Sequence, residues 1–270
     1  MIYGGEALSV RLVDCKSAVS PSRLPGLDWA LNPYRGCAHA CAYCYAQDVT
    51  RFELGKPWGS EIEVKVNIVQ RLKREVEKGL RGVYGVGTVT DPYQPIEREY
   101  ELTRGCLAVL KHSGARVSIL TKSDLVLRDL DILRSWKDVE VGVSISCIDE
   151  LVAKSIEPEA PSPSRRFNVL ARLAGEGVES FLMMAPIISG VTDSDVSLRA
   201  LVREANRSGI RSIIWDKYNP KRVADLRLRH TLEAAGSRIQ GQHSPQDVMR
   251  MRRTLEEECG LLGTELKDAF

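Results

Sequence analysis

The segment NPYRGCAHACAYCYAQD, residues 32–48, holds Cys37, Cys41 and Cys44 in the spacing C-x3-C-x2-C. Thiolates are the natural ligands of iron–sulfur clusters, and a segment this short can present three of them on one side of a cubane. The next cysteine, Cys106, lies far along the chain within a predicted helix. Three protein ligands leave one iron open to a substrate or cofactor, which is typical of a reactive site. The spacing therefore predicts a [4Fe–4S] cluster with one open iron.

The alternative for these cysteines is a non-catalytic module with a structural zinc site, in which His39 or Cys15 is the fourth ligand. Zinc sites more often pair two C-x2-C units that lie well apart, and this sequence has no second unit. Three neighbouring thiols without any metal would be less common still. The spacing therefore favours an iron–sulfur cluster over zinc.

The composition is that of an ordinary globular protein: 270 residues, 43% hydrophobic and 27% charged, with a formal net charge of +2. A chain of this length can bury one large α/β core. Seven cysteines, an odd number, argue against a disulfide framework, so we expect a cytoplasmic protein in a reducing compartment. No run approaches about 18 apolar residues, and the start lacks a basic leader followed by an apolar run. We therefore expect neither a membrane span nor a secretory signal.

Short β-rich runs alternate with longer helix-like stretches along most of the chain. The predicted strands are Trp29–Asn32, Val83–Val89, Arg116–Thr121, Val139–Ser146, Glu179–Met184 and Arg211–Asp216. The predicted helices span residues 44–53, 63–78, 97–113, 123–135, 164–176 and 194–208. Parallel neighbours need long crossover connections, so this alternation predicts a parallel sheet with its chemistry beyond the C-terminal strand ends. Periodicity alone does not choose between a doubly wound sheet and an incomplete barrel.

The chain divides into three predicted parts around this repeating pattern. They are an irregular N-terminal lead-in, residues 1–27; the α/β core, residues 28–218; and a C-terminal helical extension, residues 219–270. Two prolines and a glycine in the lead-in argue against regular structure there.

The cysteine segment resembles the cluster loop of the radical S-adenosylmethionine (SAM) superfamily. Later blocks resemble the spore photoproduct lyase-like family, in the same order: TVTDPYQPIE (88–97), LTKSDLVLRD (120–129), SIEPEAPSPSRRF (155–167) and APIISGVTD (185–193). The resemblance implies a partial (β/α)6 TIM-type barrel, with the cluster loop after the first strand. It also implies an enzyme that reductively cleaves SAM at the cluster to methionine and a 5′-deoxyadenosyl radical. That radical would abstract hydrogen from a substrate.

Asp91 is predicted to bind the positive end of SAM. It lies with Thr90 at a strand end, where a carboxylate can accept the ammonium and sulfonium charges. The resemblance places the amino-group binder of the superfamily at this position. The alternative is a turn or helix cap before Pro92, because Asp–Pro favours turns.

Cations and hydroxyls at neighbouring strand ends are predicted to bind the carboxylate of SAM. Lys122 follows the strand VSILT and can act as a mobile point charge. Ser144 and Ser146 share strand parity, so both hydroxyls face one side of the sheet. The resemblance implies that a lysine and a serine at such strand ends contact the carboxylate. It also places Arg166, with Arg165 as its neighbour in register, where a guanidinium can grip a carboxylate; the alternative is a solvent-exposed helix arginine.

Aromatic and small residues complete the predicted cofactor site. Tyr43 stands where the family has an aromatic next to the adenine, and aromatic faces stack on purines; the alternative is a core tyrosine under the loop. Tyr45 is a candidate to face the substrate or to transfer hydrogen. Ile188, Ser189 and Gly190 are expected to offer backbone to the adenine, because a glycine permits close approach.

The sequence departs from the true lyases at one position. The resemblance implies an additional hydrogen-donating cysteine near TVTD, but this chain has Thr88, Val89 and Thr90 there. A threonine hydroxyl is a poor hydrogen-atom donor. Cys147, just past a strand end, is a candidate substitute. We therefore predict a relative of the lyases that acts on a different substrate.

Two kinds of partner are expected. Cluster reduction requires a low-potential electron donor, such as ferredoxin or flavodoxin. Residues 199–254 contain 13 Lys and Arg against 5 Asp and Glu, and such an excess suits phosphate backbones. Nucleic acid is therefore the favoured substrate class, ahead of a peptide or a small metabolite. The alternative is a set of solvated arginine-rich helix faces.

Overall fold

A computed structural model describes residues 2–3, 6–50 and 57–269. The strands are β1 (Ile2–Tyr3), β2 (Glu6–Ala7), β3 (Ser9–Val13), β4 (Val19–Pro21), β5 (Trp29–Leu31), β6 (Tyr34–Arg35), β7 (Glu61–Lys65), β8 (Val83–Val86), β9 (Arg116–Thr121), β10 (Val139–Ser144), β11 (Ser180–Ile187), β12 (Ser212–Lys217) and β13 (Glu265–Asp268). The helices are α1 (Ala46–Val49), α2 (Ile68–Glu77), α3 (Glu97–Tyr100), α4 (Leu102–His112), α5 (Leu130–Leu133), α6 (Glu150–Ile156), α7 (Pro163–Gly175), α8 (Asp195–Arg207), α9 (Arg222–Ala234) and α10 (Pro245–Leu262).

The main sheet has eight strands in the order β13-β12-β11-β10-β9-β8-β5-β4. All pairs from β5 to β13 are parallel, and β4 pairs antiparallel with β5. The six predicted strands are β5, β8, β9, β10, β11 and β12. The strand order never reverses, as it would in a doubly wound sheet, so the sheet winds in one direction, as in a barrel. Strands β4 and β13 form its two edges, so the predicted partial barrel is confirmed.

The central strands are apolar because both of their faces are covered. In β10, Val139, Val141 and Val143 are buried, and β9 alternates with Val117 and Ile119 inside. These valines and isoleucines belong to one continuous core that also includes the inner faces of the flanking helices. The core therefore fixes where each strand ends, and the polar residues that follow the strands meet at one rim.

Local capping sets several helix boundaries. Ser162 caps α7 with Pro163 in its first turn, and Ser194 caps α8, close to the predicted bounds. The predicted helix 97–113 is broken into α3 and α4 at Glu101, whose φ is +49°. The predicted helix 123–135 begins as a 3-10 helix capped by Ser123 and becomes α-helical only at α5.

The predicted terminal parts differ from the structure. The N-terminal lead-in is not irregular, because β3 pairs with β7 and β4 joins the main sheet. These strands were missed because they are short and β3 is mostly exposed, without apolar alternation. Pro21 is tolerated because β4 is an edge strand. The C-terminal extension contains the expected helices, α9 and α10, but β13 then returns to the main sheet beside β12.

Two further predictions involve element ends. The predicted helix 63–78 starts as strand β7, and only its later part is helical, as α2. The predicted helix 44–53 corresponds to α1 at its start, while residues 51–56 lie outside the described residues. Across the described ranges, no helix combines the length and the apolar character needed to cross a membrane.

Candidate metal centre and cofactor site

The three cysteines lie in a loop between β6 and α1, which we call the thiol loop (residues 36–45). A small sheet in the order β3-β7-β6 holds its entrance. Gly36 has a φ of +84°, and a Cβ atom there would lie 2.2 Å from the carbonyl oxygen of Glu61. Only glycine fits this position, so the tight entry to the loop is built into the sequence.

A buried glutamine supports one side of the thiol loop. Gln94 accepts a hydrogen bond from the Ala38 amide at 2.8 Å and donates to the Gly36 carbonyl at 3.2 Å. Thr90 donates to the same carbonyl at 2.6 Å, so its hydroxyl supports the loop. Sequence reasoning missed Gln94, although it lies within the block TVTDPYQPIE. Gln94 fixes the backbone of the thiol loop.

The segment after α6 supports the other side. The Ile156 carbonyl accepts from the Ala42 amide at 2.8 Å, and the Glu159 amide donates to the His39 carbonyl at 3.3 Å. The Tyr43 hydroxyl donates to the Glu157 carboxylate. Three bonds thus join the thiol loop to a segment more than one hundred residues away in sequence.

All three thiols are free, and Cys37 and Cys41 are buried while Cys44 is half-buried. Burial raises the pKa of Cys37, and the neighbouring Asp91, Cys41 and Cys44 raise it further. Burial also raises the pKa of Cys41 to about 12, against the opposing effect of Lys122. Metal coordination would relieve this cost, because bound iron favours the thiolate form.

The other four cysteines have separate surroundings. Cys15 donates to the Asn67 side chain at 3.1 Å, and Cys106 lies in the main core on α4. Cys147 contacts the Asp149 carbonyl at 3.5 Å, and Cys259 is buried on α10. The thiol loop thus has three cysteines and no fourth, the donor set that fits a [4Fe–4S] cluster with one open iron.

Both fourth ligands considered for zinc have other partners. Cys15 is held by Asn67, as described above. His39 is buried, and its Nδ1 atom lies 3.2 Å from Oδ2 of Asp91. Over residues 2–3, 6–50 and 57–269, no three His, Cys, Asp or Glu side chains converge as ligands of a single metal ion.

Asp91 connects the thiol loop to the end of β9. Its carboxylate accepts from the Thr121 hydroxyl and the Lys122 amide, both at 2.7 Å, and from the Tyr93 amide at 2.9 Å. Burial raises its pKa, but His39 and these donors outweigh burial and hold the pKa at about 2. Both carboxylate oxygens already have protein donors. Direct binding of SAM by Asp91 and Thr90 stays a prediction.

Glu157 is the residue that sequence reasoning missed at the centre of the site. It is 1% exposed, accepts from the Tyr43 hydroxyl and pairs with the guanidinium of Arg166, which is also 1% exposed. Ser146 donates to Oε1 at 3.5 Å, and Lys122 Nζ lies 4.0 Å from the same oxygen. Burial raises the pKa of Glu157, but Arg166 and Lys122 outweigh it and lower the pKa overall.

The two cations around Glu157 differ in how fully they are paired. Arg166 also donates to the carbonyls of Pro161 and Ser144, so protein acceptors occupy three of its nitrogens. Lys122 Nζ has no hydrogen bond among the described residues and lies 5.5 Å from the centre of the Tyr43 ring. The predicted solvent-exposed alternative for Arg166 is wrong. Lys122 is the cation left for a ligand.

The predicted adenine segment lies against the thiol loop. Ile188 is fully buried and belongs to an apolar cluster with Cys41 and Tyr43. Gly190 has a φ of +74°, but the close neighbour there is the side chain of Gln240, whose Cγ would lie 2.4 Å from an added Cβ. The Gln240 amide also donates to the Ser189 carbonyl at 3.2 Å. The connection between α9 and α10 therefore covers this segment from outside.

The two candidate hydrogen donors differ in exposure. Tyr45 is 39% exposed, and its hydroxyl donates to the carbonyl of Thr88, in the TVTD segment near which the lyases are expected to carry a cysteine. Burial raises the pKa of Tyr45 to about 12. Cys147 is buried, and burial followed by the nearby Glu157 raises its pKa to about 12.

Helix α1 is joined to the C-terminal region. The Asp48 carboxylate accepts from the amides of Val223 at 2.9 Å and Ala224 at 3.1 Å, and so caps α9. About half of the arginines that suggested nucleic-acid binding form ion pairs with carboxylates. Their partners include the acidic end of the chain: Arg199 with Glu257 and Glu258, Arg203 with Glu258, and Arg252 with Asp268.

These features define a class of site: three thiols in one loop, at the C-terminal strand rim of a partial barrel, beside a buried cation. The Radical SAM superfamily model matches residues 31–202, which include the whole loop and most of the barrel. The chain belongs to the radical SAM superfamily. This membership supports SAM-dependent radical chemistry and implies a [4Fe–4S] cluster and SAM.

Sequence relatives span a wide range of organisms. An uncharacterized protein of Methanocaldococcus jannaschii is 36% identical over 67% of this chain and 68% of its own. An uncharacterized protein of Acidianus two-tailed virus is 35% identical over 90% of this chain and 80% of its own. One of Mycobacterium bovis is 32% identical over 76% of this chain and 63% of its own.

Solved structures share the fold at low identity. A spore photoproduct lyase variant with bound AdoMet and dinucleoside spore photoproduct has a TM-score of 0.73 at 17% identity, covering 97% of this chain and 82% of the lyase. Streptococcus suis SuiB bound to S-adenosylmethionine has a TM-score of 0.55 at 11% identity, covering 97% and 50%. The expected likeness to the spore photoproduct lyase fold is confirmed.

Proposed function

We propose that this chain is a radical SAM enzyme that reductively cleaves SAM and uses the 5′-deoxyadenosyl radical to abstract hydrogen from a substrate other than the spore photoproduct. The observation that carries this proposal is the thiol loop, with three buried or half-buried free thiols and no fourth cysteine. When bound, the cluster and SAM supply the electron, the open iron and the radical. The protein supplies position and charge.

The residues around Glu157 would hold the amino-acid end of SAM. Lys122 and Arg166 give two buried or half-buried cations against the one carboxylate of Glu157. Lys122 is the cation without a hydrogen bond among the described residues, so it would bind the SAM carboxylate, with Ser146 beside it. Asp91 would fix the backbone of Lys122, and Tyr43 and Ile188 would form apolar walls for the adenine.

Hydrogen return to the substrate would fall to Tyr45. Its side chain is exposed and donates to the carbonyl of Thr88, in the TVTD segment near which a true lyase is expected to carry a cysteine. Cys147 is a weaker candidate because it is buried beside Asp149. The lack of a cysteine in TVTD supports a substrate other than the spore photoproduct.

Nucleic acid remains the proposed substrate class, ahead of a peptide or a small metabolite. Lys221 and Arg222 are exposed at the start of α9, next to the Asp48 cap and the thiol loop, and have no ion pair among the described residues. Cations in such a position suit a phosphate backbone. A ferredoxin or flavodoxin would supply the electron.

The test is anaerobic reconstitution with iron and sulfide, followed by dithionite, SAM and separate pools of RNA, DNA and peptides. We expect a brown protein that forms 5′-deoxyadenosine, with a higher yield in a nucleic-acid pool. Cys41→Ala should abolish both colour and product. Cys106→Ala removes a thiol outside the loop and is the matched control, which should keep both.

Three outcomes would contradict parts of the proposal. Colourless protein with stoichiometric zinc would favour the structural alternative. A brown protein whose fourth iron carries a protein side chain would exclude SAM cleavage. If the yield of 5′-deoxyadenosine rises only with peptides, the substrate class is peptide and not nucleic acid.

A further inference from the structure

Glu157 is a buried carboxylate of the site that is hydrogen-bonded directly to the thiol loop. It accepts the hydroxyl of Tyr43, which lies between Cys41 and Cys44 in sequence, and it is 1% exposed. Asp91 also contacts the loop, through His39 at 3.2 Å, but it accepts from the backbone amide of Lys122, whereas Glu157 lies beside the side chains of Lys122 and Arg166. A buried charge is weakly screened, so it acts on any charge that enters the same pocket.

The charges around Glu157 make it the anion that balances this pocket. Arg166 and Lys122 both lie beside its carboxylate, and Lys122 approaches to 4.0 Å without a hydrogen bond. The charges of Arg166, Lys122 and Glu157 sum to one positive charge, which suits the single carboxylate of SAM. Without Glu157, they would sum to two, which would repel a ligand that carries a further positive centre.

We infer that Glu157 is a specificity-determining residue that makes the pocket accept a sulfonium ligand over a neutral thioether. This inference rests on the proposed function, since it concerns the same cofactor. SAM and S-adenosylhomocysteine share the adenosine, the carboxylate and the ammonium. They differ by one methyl group and one positive charge at sulfur, so the ratio of their affinities isolates the response to that charge.

The experiment compares the dissociation constants of both ligands for reconstituted protein by equilibrium binding, without turnover. Glu157→Gln keeps the size of the side chain and removes its charge. We expect the preference for SAM over S-adenosylhomocysteine to fall about tenfold, as Coulomb's law gives for two unit charges roughly 12 Å apart at an effective dielectric constant of about 20. Iron content and colour should be retained. An unchanged ratio would overturn the inference.

Glu97→Gln is the matched control. Glu97 is also fully buried, accepts a tyrosine hydroxyl from Tyr34 and pairs with Arg128, but it lies in the main core. Its substitution should weaken folding and leave the ligand ratio unchanged. An equal fall in the ratio for Glu97→Gln would show a general effect of buried charge loss and would also overturn the inference.

A folding defect of Glu157→Gln does not end the test. Glu157→Asp keeps the ion pair with Arg166 and withdraws the charge from Tyr43 by one methylene, so the ratio should fall less, in the same direction. An unchanged ratio in that folded variant counts against the inference. Failure of the proposed function would look different, because the wild-type protein would then lack the cluster or bind neither ligand.

Discussion

Two buried Tyr–Glu–Arg triads occur in this molecule, and they differ in how their charges are balanced. In the core triad, Glu97 accepts from Tyr34, from Arg128 at 2.7 Å and from two backbone amides. Arg128 also pairs with Asp129 at 2.8 Å, and Asp129 pairs with Arg104 at 2.8 Å. Each cation of this network therefore has a carboxylate within hydrogen-bond distance.

The site triad is not closed in this way. Tyr43, Glu157 and Arg166 repeat the same three residue types, but Lys122 stands beside them at 4.0 Å from the carboxylate. The comparison teaches that residue type and burial do not separate a structural network from a binding site. The separating feature is a cation whose charge the protein does not fully pair.

The largest expected effect is on the core triad. Arg128→Met leaves Glu97 without its nearest cation and weakens the pairing of Asp129. Breaking a buried pair by removing one partner costs about 3–5 kcal/mol, so the free energy of unfolding should fall by about that amount. Urea denaturation of the protein without cluster measures it. A fall below about 1 kcal/mol would mean that the core triad is not a closed structural network.

The next effect separates the two triads directly. Lys122→Met removes the cation that has no hydrogen bond among the described residues, so the unfolding free energy should change by less than about 1 kcal/mol. A hydrogen bond to a charged group contributes about 1.5–3 kcal/mol, so the affinity for SAM should fall by about tenfold to a hundredfold. Equilibrium binding to reconstituted protein measures it. If Lys122→Met lowered the unfolding free energy and left the affinity for SAM unchanged, Lys122 would be a structural residue like those of the core triad.

The smallest effect concerns the two tyrosine hydroxyls. Tyr34→Phe removes one of four donors to Glu97, so stability should fall by about 1–1.5 kcal/mol, with SAM affinity unchanged. Tyr43→Phe should have a similar effect on stability and also weaken SAM binding severalfold, because the hydroxyl that is lost holds the Glu157 carboxylate beside Lys122. Parallel denaturation and binding measurements on both variants test this. Equal binding by the two variants would contradict it.

The fold could be predicted from the sequence wherever a local apolar pattern determines the secondary structure. Strand β9 occupies Arg116–Thr121 as predicted, because its apolar alternation is local and its neighbours are parallel. Strands β3 and β13 were missed because they are short and mostly exposed, so only pairing with β7 and β12 defines them. At the break around Glu101, the Glu97 carboxylate accepts from the amides of Thr103 and Arg104 at the start of α4, a contact that helix propensity does not predict.

The residues of the candidate site were likewise only partly predictable from the sequence. The cysteines were predictable because their spacing is within one loop. Gln94 and Glu157 were not, because each acts on the thiol loop across 56 or 114 positions of sequence. Their blocks were recognised, but a glutamate in a polar segment is expected in solvent. Only the fold shows that Glu157 faces inward.

The cap that Asp48 provides for α9 bears on how the centre is assembled during synthesis. Asp48 follows the last cysteine by four residues, while the amides it binds belong to Val223 and Ala224, 175 and 176 positions later. The cysteines are therefore synthesised long before the helix that packs against α1. The contacts between α1 and α9 therefore form only once nearly the whole barrel has been made.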